Sequence, residues 1–400
     1  MIKCDVAIIG GGLVGCATAY YLSRQGVSVV LVEQGQLNQG ASGQNAGSLH
    51  FQLEHRLFGD DEQHTRDFSD YVTFTKVAIE SWRNIEKELG CDLQLTMEGG
   101  LVVAESAAQV SMLERKFEIE HGAGLTVEML DGDAARRAEP CLGRQVVAAQ
   151  LCPYEGHCNP RLVTPAYATR AREQGAQLLT RSRVSTIRPL GGRWRIAGAR
   201  PAVAGREGTF LIETDRVVNA AGAWAGEVAA LANLHLPITP VGLTLNATEP
   251  VAPIMHHLIQ HASEKLTLKQ VHDGNVLIGG GWSARLEQDR GHWRIGRSPR
   301  IRMDSITGNL QAAVNIVPAL AELHLLRSWT GTTGLTPDQY PVLGEVPEAP
   351  RFYVAAGSSG FTFGPAYAQI LTELIVTGGS AHLLAPFSPA RFSPLNMFMA

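Results

Sequence analysis

The chain has 400 residues, of which 45% are hydrophobic, and a formal net charge of −4 at pH 7. This length exceeds what one core usually holds, so we expect two lobes. The small net charge provides no polybasic surface of the kind that binds nucleic acid or anionic membrane, so neither is an expected partner. Six scattered cysteines favour a reducing compartment, and the spacing of Cys152, His157 and Cys158 suits no common zinc site.

The chain begins with an apolar strand that runs into a glycine-rich turn and a helix. The turn has the pattern Gly-x-Gly-x-x-Gly at Gly10, Gly12 and Gly15. In dinucleotide-binding βαβ units, these glycines allow a tight turn, a close approach of the pyrophosphate, and close packing of helix on strand. Glu33 ends the next apolar strand, near the spacing at which an acid accepts a hydrogen bond from a ribose hydroxyl. The start of the chain therefore predicts a dinucleotide site.

A signal or membrane helix over residues 6–22 is the alternative interpretation of this start. Three glycines suit a helix core poorly, and a basic segment before the apolar run is nearly absent. A cleaved presequence would also remove the glycine turn. We therefore expect a cytoplasmic protein without a transmembrane segment.

A second loop, 40–50, is dominated by small side chains. Such residues offer free N–H groups and little bulk, which favours a large flat group held against the backbone. Nicotinamide enzymes carry no such second loop at this point in their fold. An ordinary surface loop is the alternative.

The second half of the chain contains strand-like segments and another glycine-rich loop. Residues 216–225 are typical of a buried strand that ends in small residues close to a cofactor. Residues 266–270 and 275–282 predict a hairpin around Asp273-Gly274. A loop at 357–365 precedes a predicted helix, whose positive N-terminus would suit the anionic edge of a reduced flavin.

Taken in this order over almost the whole chain, these motifs resemble the D-amino-acid oxidase superfamily of FAD-dependent amine oxidoreductases. The resemblance implies an α/β (α+β) fold of two lobes, like that of glycine and sarcosine oxidases. A Rossmann-like FAD-binding domain would comprise 1–92, 152–225 and 327–400, and an antiparallel-sheet substrate domain 93–151 and 226–326. Within the superfamily, the chain is most similar to catalytic subunits of heteromeric bacterial enzymes, namely those of opine oxidase, hydrogen cyanide synthase, D-hydroxyproline dehydrogenase and L-proline dehydrogenase.

The resemblance also assigns the cofactor residues by position. The glycine turn would hold the diphosphate, Glu33 the ribose, the backbone of Val184 the adenine, and the C-terminal loop the flavin ring. The residues expected at the FAD are Gly10, Gly12, Leu13, Val14, Gly15, Glu33, Gln34, Ala41, Ser42, Gly43, Asn45, Ala46, Gly47, Ser48, Val184, Ala221, Gly222, Trp224, Gly331, Gly357, Ser359, Gly360, Phe361 and Thr362. No cysteine follows Cys158; the C-terminal cysteine that anchors covalent flavin in monomeric sarcosine oxidases is therefore missing, and non-covalent FAD is expected.

The chain departs from the superfamily at the substrate site. Simpler D-amino-acid and glycine oxidases carry Gly-Leu-Arg-Pro before a Thr-Pro-Asp motif, and that arginine clamps the substrate carboxylate. This chain has Gly331-Thr332-Thr333-Gly334 there, so a hydroxyl replaces a bidentate fork. A plain α-amino acid bound through the arginine is therefore disfavoured.

Five side chains are candidates for substrate contact. They are His50, Gln52, Lys269, Arg327 and Thr333. Three of them have explicit structural alternatives: His50 as a structural hydrogen-bonding residue, Lys269 as a solvated strand charge, and Arg327 as a salt-bridge partner.

The resemblance implies oxidation of a C–N bond, by hydride transfer to flavin N5 and hydrolysis of the resulting imine. A secondary amino acid is the favoured substrate: an opine such as octopine or nopaline, hydroxyproline, proline or sarcosine. Electrons would pass to partner subunits that carry further redox centres. Three alternatives remain open: a D-amino-acid or glycine oxidase or dehydrogenase, a nicotinamide-linked dehydrogenase, and a flavin-bearing subunit without its own amine oxidation.

Overall fold

The computed structural model describes residues 1–54, 69–203, 206–290, 292–382 and 384–394. In these ranges the α-helices are α1 (Leu13–Arg24), α2 (Ala41–Gln44), α3 (Ser69–Leu89), α4 (Ala107–Gly122), α5 (Gly132–Ala138), α6 (Pro160–Glu173), α7 (Ala225–Ala230), α8 (Met303–Ile316) and α9 (Gly364–Thr377). The strands are β1 (Ile2–Ile9), β2 (Val29–Val32), β3 (Ser48–Leu49), β4 (Gly100–Ala104), β5 (Glu128–Asp131), β6 (Ala148–Cys152), β7 (Gly156–His157), β8 (Gln177–Leu179), β9 (Arg183–Leu190), β10 (Arg193–Val203), β11 (Arg206–Asn219), β12 (Thr239–Pro250), β13 (Leu258–His261), β14 (Thr267–Gln270), β15 (Asn275–Gly279), β16 (Ser283–Ala284), β17 (Gln288–Asp289), β18 (His292–Trp293), β19 (Leu325–Leu335), β20 (Val342–Glu345) and β21 (Phe352–Ala356).

The first sheet aligns the ends of strands that are far apart in sequence. Its order is β20-β21-β11-β1-β2-β8, and β1 pairs in parallel with both β2 and β11. Ile9 lies opposite Val32 on one side and Asn219 on the other, and Asn219 lies opposite Val354. The carboxyl ends of these four strands therefore meet at one edge, outside which open α/β sheets bind ligands.

Both faces of this sheet are covered, which explains why β2 and β21 are continuously apolar. β2 and β21 are buried along their whole length, as expected for parallel strands between two layers. On one face, α1 packs against α6 and α9. On the other face, α7 shares a core with the sheet, which also includes β10 paired with β11. We call this sheet and its helices the first lobe.

The second sheet forms the second lobe. Its order is β16-β12-β15-β14-β13-β4-β6-β5, and β19 also pairs with β12. Neighbouring strands are antiparallel except β4 and β13, which are parallel. The amphipathic helix α8 packs against β12 and β15, and its Ala313 and Ile316 are buried in the core of this lobe.

The domain boundary expected at residue 327 falls inside a strand. β19 pairs with β12 from Leu325 opposite Thr248 to Leu335 opposite Thr239. Residues 327–335 are expected in the FAD-binding domain, but this pairing places them in the sheet of the second lobe.

The predicted hairpin around Gly274 is present as β14 and β15, with a positive φ of 87° at Gly274.

The two lobes are in contact along β19. The indole N–H of Trp329 donates to the carbonyl of Gln44, 2.8 Å away, at the end of α2. In the part of the chain that the structure describes, no helix is both long enough and apolar enough to cross a membrane.

Candidate active site

A cavity of about 1260 Å³ lies between the two lobes. The first lobe lines it with the carboxyl ends of β1, β2, β11 and β21, and the second lobe with β12, β14, β15 and β19. Pockets for small molecules usually measure about 300–1,000 Å³. This cavity therefore has room for a large cofactor together with a substrate.

The glycine turn forms the end of the cavity at α1. Gly10 has a φ of +117°, and a Cβ there would lie 2.4 Å from the carbonyl oxygen of Ala220. The backbone N–H of Gly11 donates to the carboxylate of Glu33 at 2.7 Å, and the N–H of Leu13 donates to the Ser42 hydroxyl at 2.9 Å. This places a helix N-terminus, a glycine backbone without side chains and an acidic residue together, as a diphosphate-linked cofactor requires.

The cavity wall fits FAD because side chains are missing where the cofactor would lie. A Cβ at Gly12, which lines the cavity, would contact within 4 Å only Ser42 among non-neighbouring residues. Gly222 also lines the cavity, with a φ of +54° and open space where a Cβ would be. At Gly360, in the C-terminal loop, a Cβ would meet only the carbonyl oxygen of Gly357, at 3.8 Å. The 357–362 loop lies immediately before α9, whose positive N-terminus is thus directed at the same cavity.

Most of the residues that the sequence assigns to FAD line this cavity, and three do not. Gly15, Gly43 and Gly47 lie behind the wall. A Cβ at each would lie 2.0 Å from a carbonyl oxygen, that of Gly10, Asn38 and Cys158 respectively. These three glycines therefore permit close packing that shapes the wall, and they do not face the cavity themselves.

The second lobe presents one face of its sheet to the cavity. Gly331 and Thr333 of β19, Leu243 of β12, Leu277 of β15 and Lys269 of β14 line it. β19 and β14 are separated by two strands and so lie roughly 14 Å apart across the sheet. Lys269 is level with Arg327 in the register of the sheet, six residues along β19 from Thr333. The wall opposite the glycine turn thus carries a hydroxyl on one side and an amine on the other.

Lys269 is almost completely buried, with 1% of its surface exposed, and its amine donates to the Ser48 hydroxyl. Burial lowers the pKa of Lys269 to about 7. Burial, together with the nearby charge of Lys269, also lowers the pKa of His157 to about 3. His50 lines the same cavity, and its backbone N–H donates to the Thr362 hydroxyl at 3.3 Å.

Two of the five predicted substrate contacts do not reach the cavity. Gln52 is buried beneath it, where its side-chain amide donates to Gly100 at 3.2 Å and to Glu155 at 3.0 Å. Arg327 is exposed and lies four residues before Gly331 on β19, roughly 13 Å away along the strand. The structure therefore places His50, Lys269 and Thr333 in the wall of one cavity, and leaves Gln52 and Arg327 outside it.

Beneath the cavity, two buried carboxylates hold the segment that follows the small-residue loop. Glu155 accepts hydrogen bonds from the backbone N–H groups of Phe51 at 2.7 Å and Gln52 at 2.8 Å, and Glu120 accepts from Leu53 at 2.5 Å. Lys116, itself buried, donates to Glu120 at 2.8 Å. Burial raises the pKa of Glu155 to about 7. We call these two glutamates the carboxylate cradle.

Several polar residues that line the cavity carry no signal in the predicted motifs. Among them are Glu54, Gln260, His261, Lys265 and Arg297. Lys265 lies just before the predicted strand 266–270 and outside β14, so alternation along the strand does not indicate its direction. Arg297 lies in an irregular segment, and no periodic pattern indicates its direction.

Comparisons with known proteins agree with this site. A family model described as FAD dependent oxidoreductase matches residues 5–374. Glycine oxidase from Geobacillus kaustophilus is 28% identical over 97% of both chains, and a subunit of opine oxidase from Rhizobium meliloti is 26% identical over 98% of both. The crystal structure of L-proline dehydrogenase from P. horikoshii superposes with a TM-score of 0.83 at 25% identity, covering 98% of each chain.

These matches settle three predictions made from the sequence. The two-lobe α/β fold and the FAD cofactor are confirmed. The nicotinamide-linked alternative is wrong, because the family model spans the glycine turn, the small-residue loop and the C-terminal loop as parts of one FAD-dependent fold. The chain belongs to the family of FAD-dependent oxidoreductases.

Proposed function

We propose that this chain oxidises the C–N bond of an amino acid, preferentially a secondary one. The observation that carries the proposal is the construction of the cavity, in which the cofactor wall of the first lobe faces Lys269 and Thr333 on the second. FAD bound there supplies an acceptor for the hydride on the carbon beside the amine nitrogen. The relatives support the amino-acid class, since they are named as an oxidase of glycine, an oxidase of opines and a dehydrogenase of L-proline.

The residues of this chain hold and orient the two reactants. The glycine turn, Glu33 and Ser42 would bind the diphosphate and ribose portion. Thr333 offers one hydroxyl where simpler superfamily members have an arginine, so a plain α-amino acid lacks a bidentate charged contact. A second substituent on the amine adds contacts that offset this loss, which favours secondary amino acids.

We also infer that the electrons leave through partner subunits. The support is the opine oxidase relative, which is named as one subunit of its enzyme and matches this chain over nearly its full length. A dehydrogenase of this kind reduces an artificial dye faster than it reduces oxygen.

The test is a substrate screen with the purified FAD-loaded chain. Dye reduction is measured with octopine, nopaline, cis-4-hydroxy-D-proline, L-proline, sarcosine and D-alanine, in air and without oxygen. We expect at least one secondary amine to be turned over faster than D-alanine. Turnover of D-alanine alone would contradict the proposal, and a hydrogen peroxide yield equal to the substrate consumed in the presence of dye would contradict the electron route.

A second candidate is a flavin-bearing subunit whose own site is silent, and the missing arginine at Thr333 is the feature that favours it. Anaerobic mixing with each amine separates the two. Bleaching of the flavin band shows that this chain oxidises the amine itself. If no amine bleaches the flavin in the isolated chain or in the assembled complex, the silent-subunit function stands.

A further inference from the structure

Two exposed basic side chains of the second lobe line the cavity and have no carboxylate partner among the described residues. Lys265 and Arg297 are both exposed and both contribute to the cavity wall. In the described portion of the chain, neither forms an ion pair. The nearest arginine on each side of Arg297 is paired, Arg294 with Asp289 at 2.8 Å and Arg300 with Glu287 at 2.5 Å. Arg297 thus differs from its neighbours in facing the cavity with its charge uncompensated.

Hydrogen bonds anchor the backbone at Lys265 and two residues after Arg297. The carbonyl of Lys265 accepts a hydrogen bond from the indole of Trp282 at 2.6 Å and another from Asn309 at 3.4 Å. Two residues after Arg297, the carbonyl of Pro299 accepts from the buried Thr330 hydroxyl at 2.7 Å. These hydrogen bonds anchor the backbone from which the two exposed side chains extend.

That part of the cavity is on the substrate side. A Cβ at Gly242 would lie 2.9 Å from Pro299, and Gly242 pairs with Thr332, the neighbour of Thr333. Lys265 lies two residues before β14, which contributes Thr267 and Lys269 to the cavity wall. The diphosphate of the cofactor is expected at the glycine turn, on the first lobe. An anion at Lys265 and Arg297 is therefore a different group from the cofactor phosphates.

We propose that Lys265 and Arg297 form a subsite for the second carboxylate of a substrate that carries two, a secondary amine with a carboxylate on each branch. This inference rests on the proposed oxidation of secondary amino acids and specifies their class. One carboxylate binds within the cavity near the buried amine of Lys269, and the other reaches the exposed cations. The buried amine of Lys269 and the two exposed cations are separate binding groups, and together they favour a substrate with two separated carboxylates over one with a single carboxylate.

The experiment compares pairs of ligands that differ in the second carboxylate. N-(carboxyalkyl)glycines with one to three methylene groups are compared with N-alkylglycines of equal length, and Kd is measured from perturbation of the visible flavin spectrum without oxygen. The proteins are the FAD-loaded wild type, K265Q/R297Q, and R290Q as the matched control. Arg290 is exposed on the same segment and does not line the cavity.

We expect at least one dicarboxylate to bind the wild type more tightly than its monocarboxylate partner. K265Q/R297Q should weaken that dicarboxylate about tenfold and the monocarboxylate less than twofold, while R290Q changes neither. Added salt should weaken only the dicarboxylate, since exposed charges are screened. Equal effects of K265Q/R297Q on both ligand types, or none on either, would overturn the subsite.

The readout separates this inference from the proposed function. Selective binding without flavin bleaching keeps the subsite and contradicts amine oxidation. Bleaching by monocarboxylate and dicarboxylate amines alike, with no dependence on Lys265 and Arg297, keeps the proposed function and contradicts the subsite. The flavin absorbance and the melting temperature of each variant show that it is folded and loaded.

Discussion

The buried amine of Lys269 makes the free energy of unfolding depend on pH. It is buried on β14, its amine donates to Ser48, and burial lowers its pKa from 10.5 to about 7. Between these two pH values, the unfolded chain keeps a proton that the folded chain has released. The free energy of unfolding therefore rises with pH across this window, because the unfolded state binds more protons there.

We expect Lys269→Met to remove this dependence. The substitution should stabilise the FAD-loaded protein by a few kcal/mol at pH 7, and the gain should fade as the pH approaches 10.5. Urea denaturation at pH 7, 8.5 and 10 measures it. Lys87→Met, at an exposed position in the last turn of α3, is the control and should show no such trend. A gain from Lys269→Met that does not vary with pH would refute the assignment.

Among the elements, the carboxylate cradle explains why the segment after the small-residue loop is in a fixed position. Glu155 and Glu120 accept the backbone N–H groups of three successive residues, 51–53. The residues on either side, His50 and Glu54, line the cavity. The cradle thus acts on the site through the backbone, and Gln260, which lines the cavity and lies 3.4 Å from Glu155, connects the two.

Glu155→Leu should destabilise the protein by about 2–5 kcal/mol, because it leaves the buried N–H groups of Phe51 and Gln52 without an acceptor. Glu155→Gln keeps one carbonyl oxygen at that position and should cost less. Unfolding in urea at pH 6 ranks the two variants. Burial also raises the pKa of Glu155 from 4.5 to about 7, so wild-type stability should fall relative to Glu155→Gln as the pH rises from 4.5 to 7. Equal stability losses in the two variants would show that the hydrogen bonds to Glu155 do not matter.

The same elements show what a sequence can and cannot predict. The glycine turn, the small-residue loop and the C-terminal loop are local signals, because strand ends and missing side chains are visible in the residues themselves. Arg327 and Thr333 lie on the same strand, but only Thr333 lines the cavity. The difference depends on how far the cavity extends along β19, which the residues of the strand do not indicate. The cradle and the pair Lys265 and Arg297 depend on which strands become neighbours, and no single segment contains that information.

For the molecule as a whole, the site depends on how closely the two lobes approach each other. β19 belongs to the second sheet, yet Gly334 on this strand packs against the first lobe. A Cβ at Gly334 would lie 2.9 Å from the Cα of Ala223 and 2.8 Å from the side chain of Ile238. Ala223 is part of the turn that follows β11 and lines the cavity. The absence of a side chain at Gly334 therefore sets the distance between the substrate wall and the cofactor wall.

Gly334→Ala should push these walls apart. We expect it to destabilise the protein by about 1–3 kcal/mol, the usual cost of inserting a methyl group into a packed contact, and to weaken FAD binding while the circular dichroism of both sheets is kept. Flavin released on dilution and urea denaturation measure the two effects. Gly122→Ala is the control, because a Cβ at the end of α4 would meet nothing within 4 Å and should leave FAD binding unchanged. If Gly334→Ala retains flavin as the wild type does, the contact between β19 and Ala223 does not set the width of the cavity.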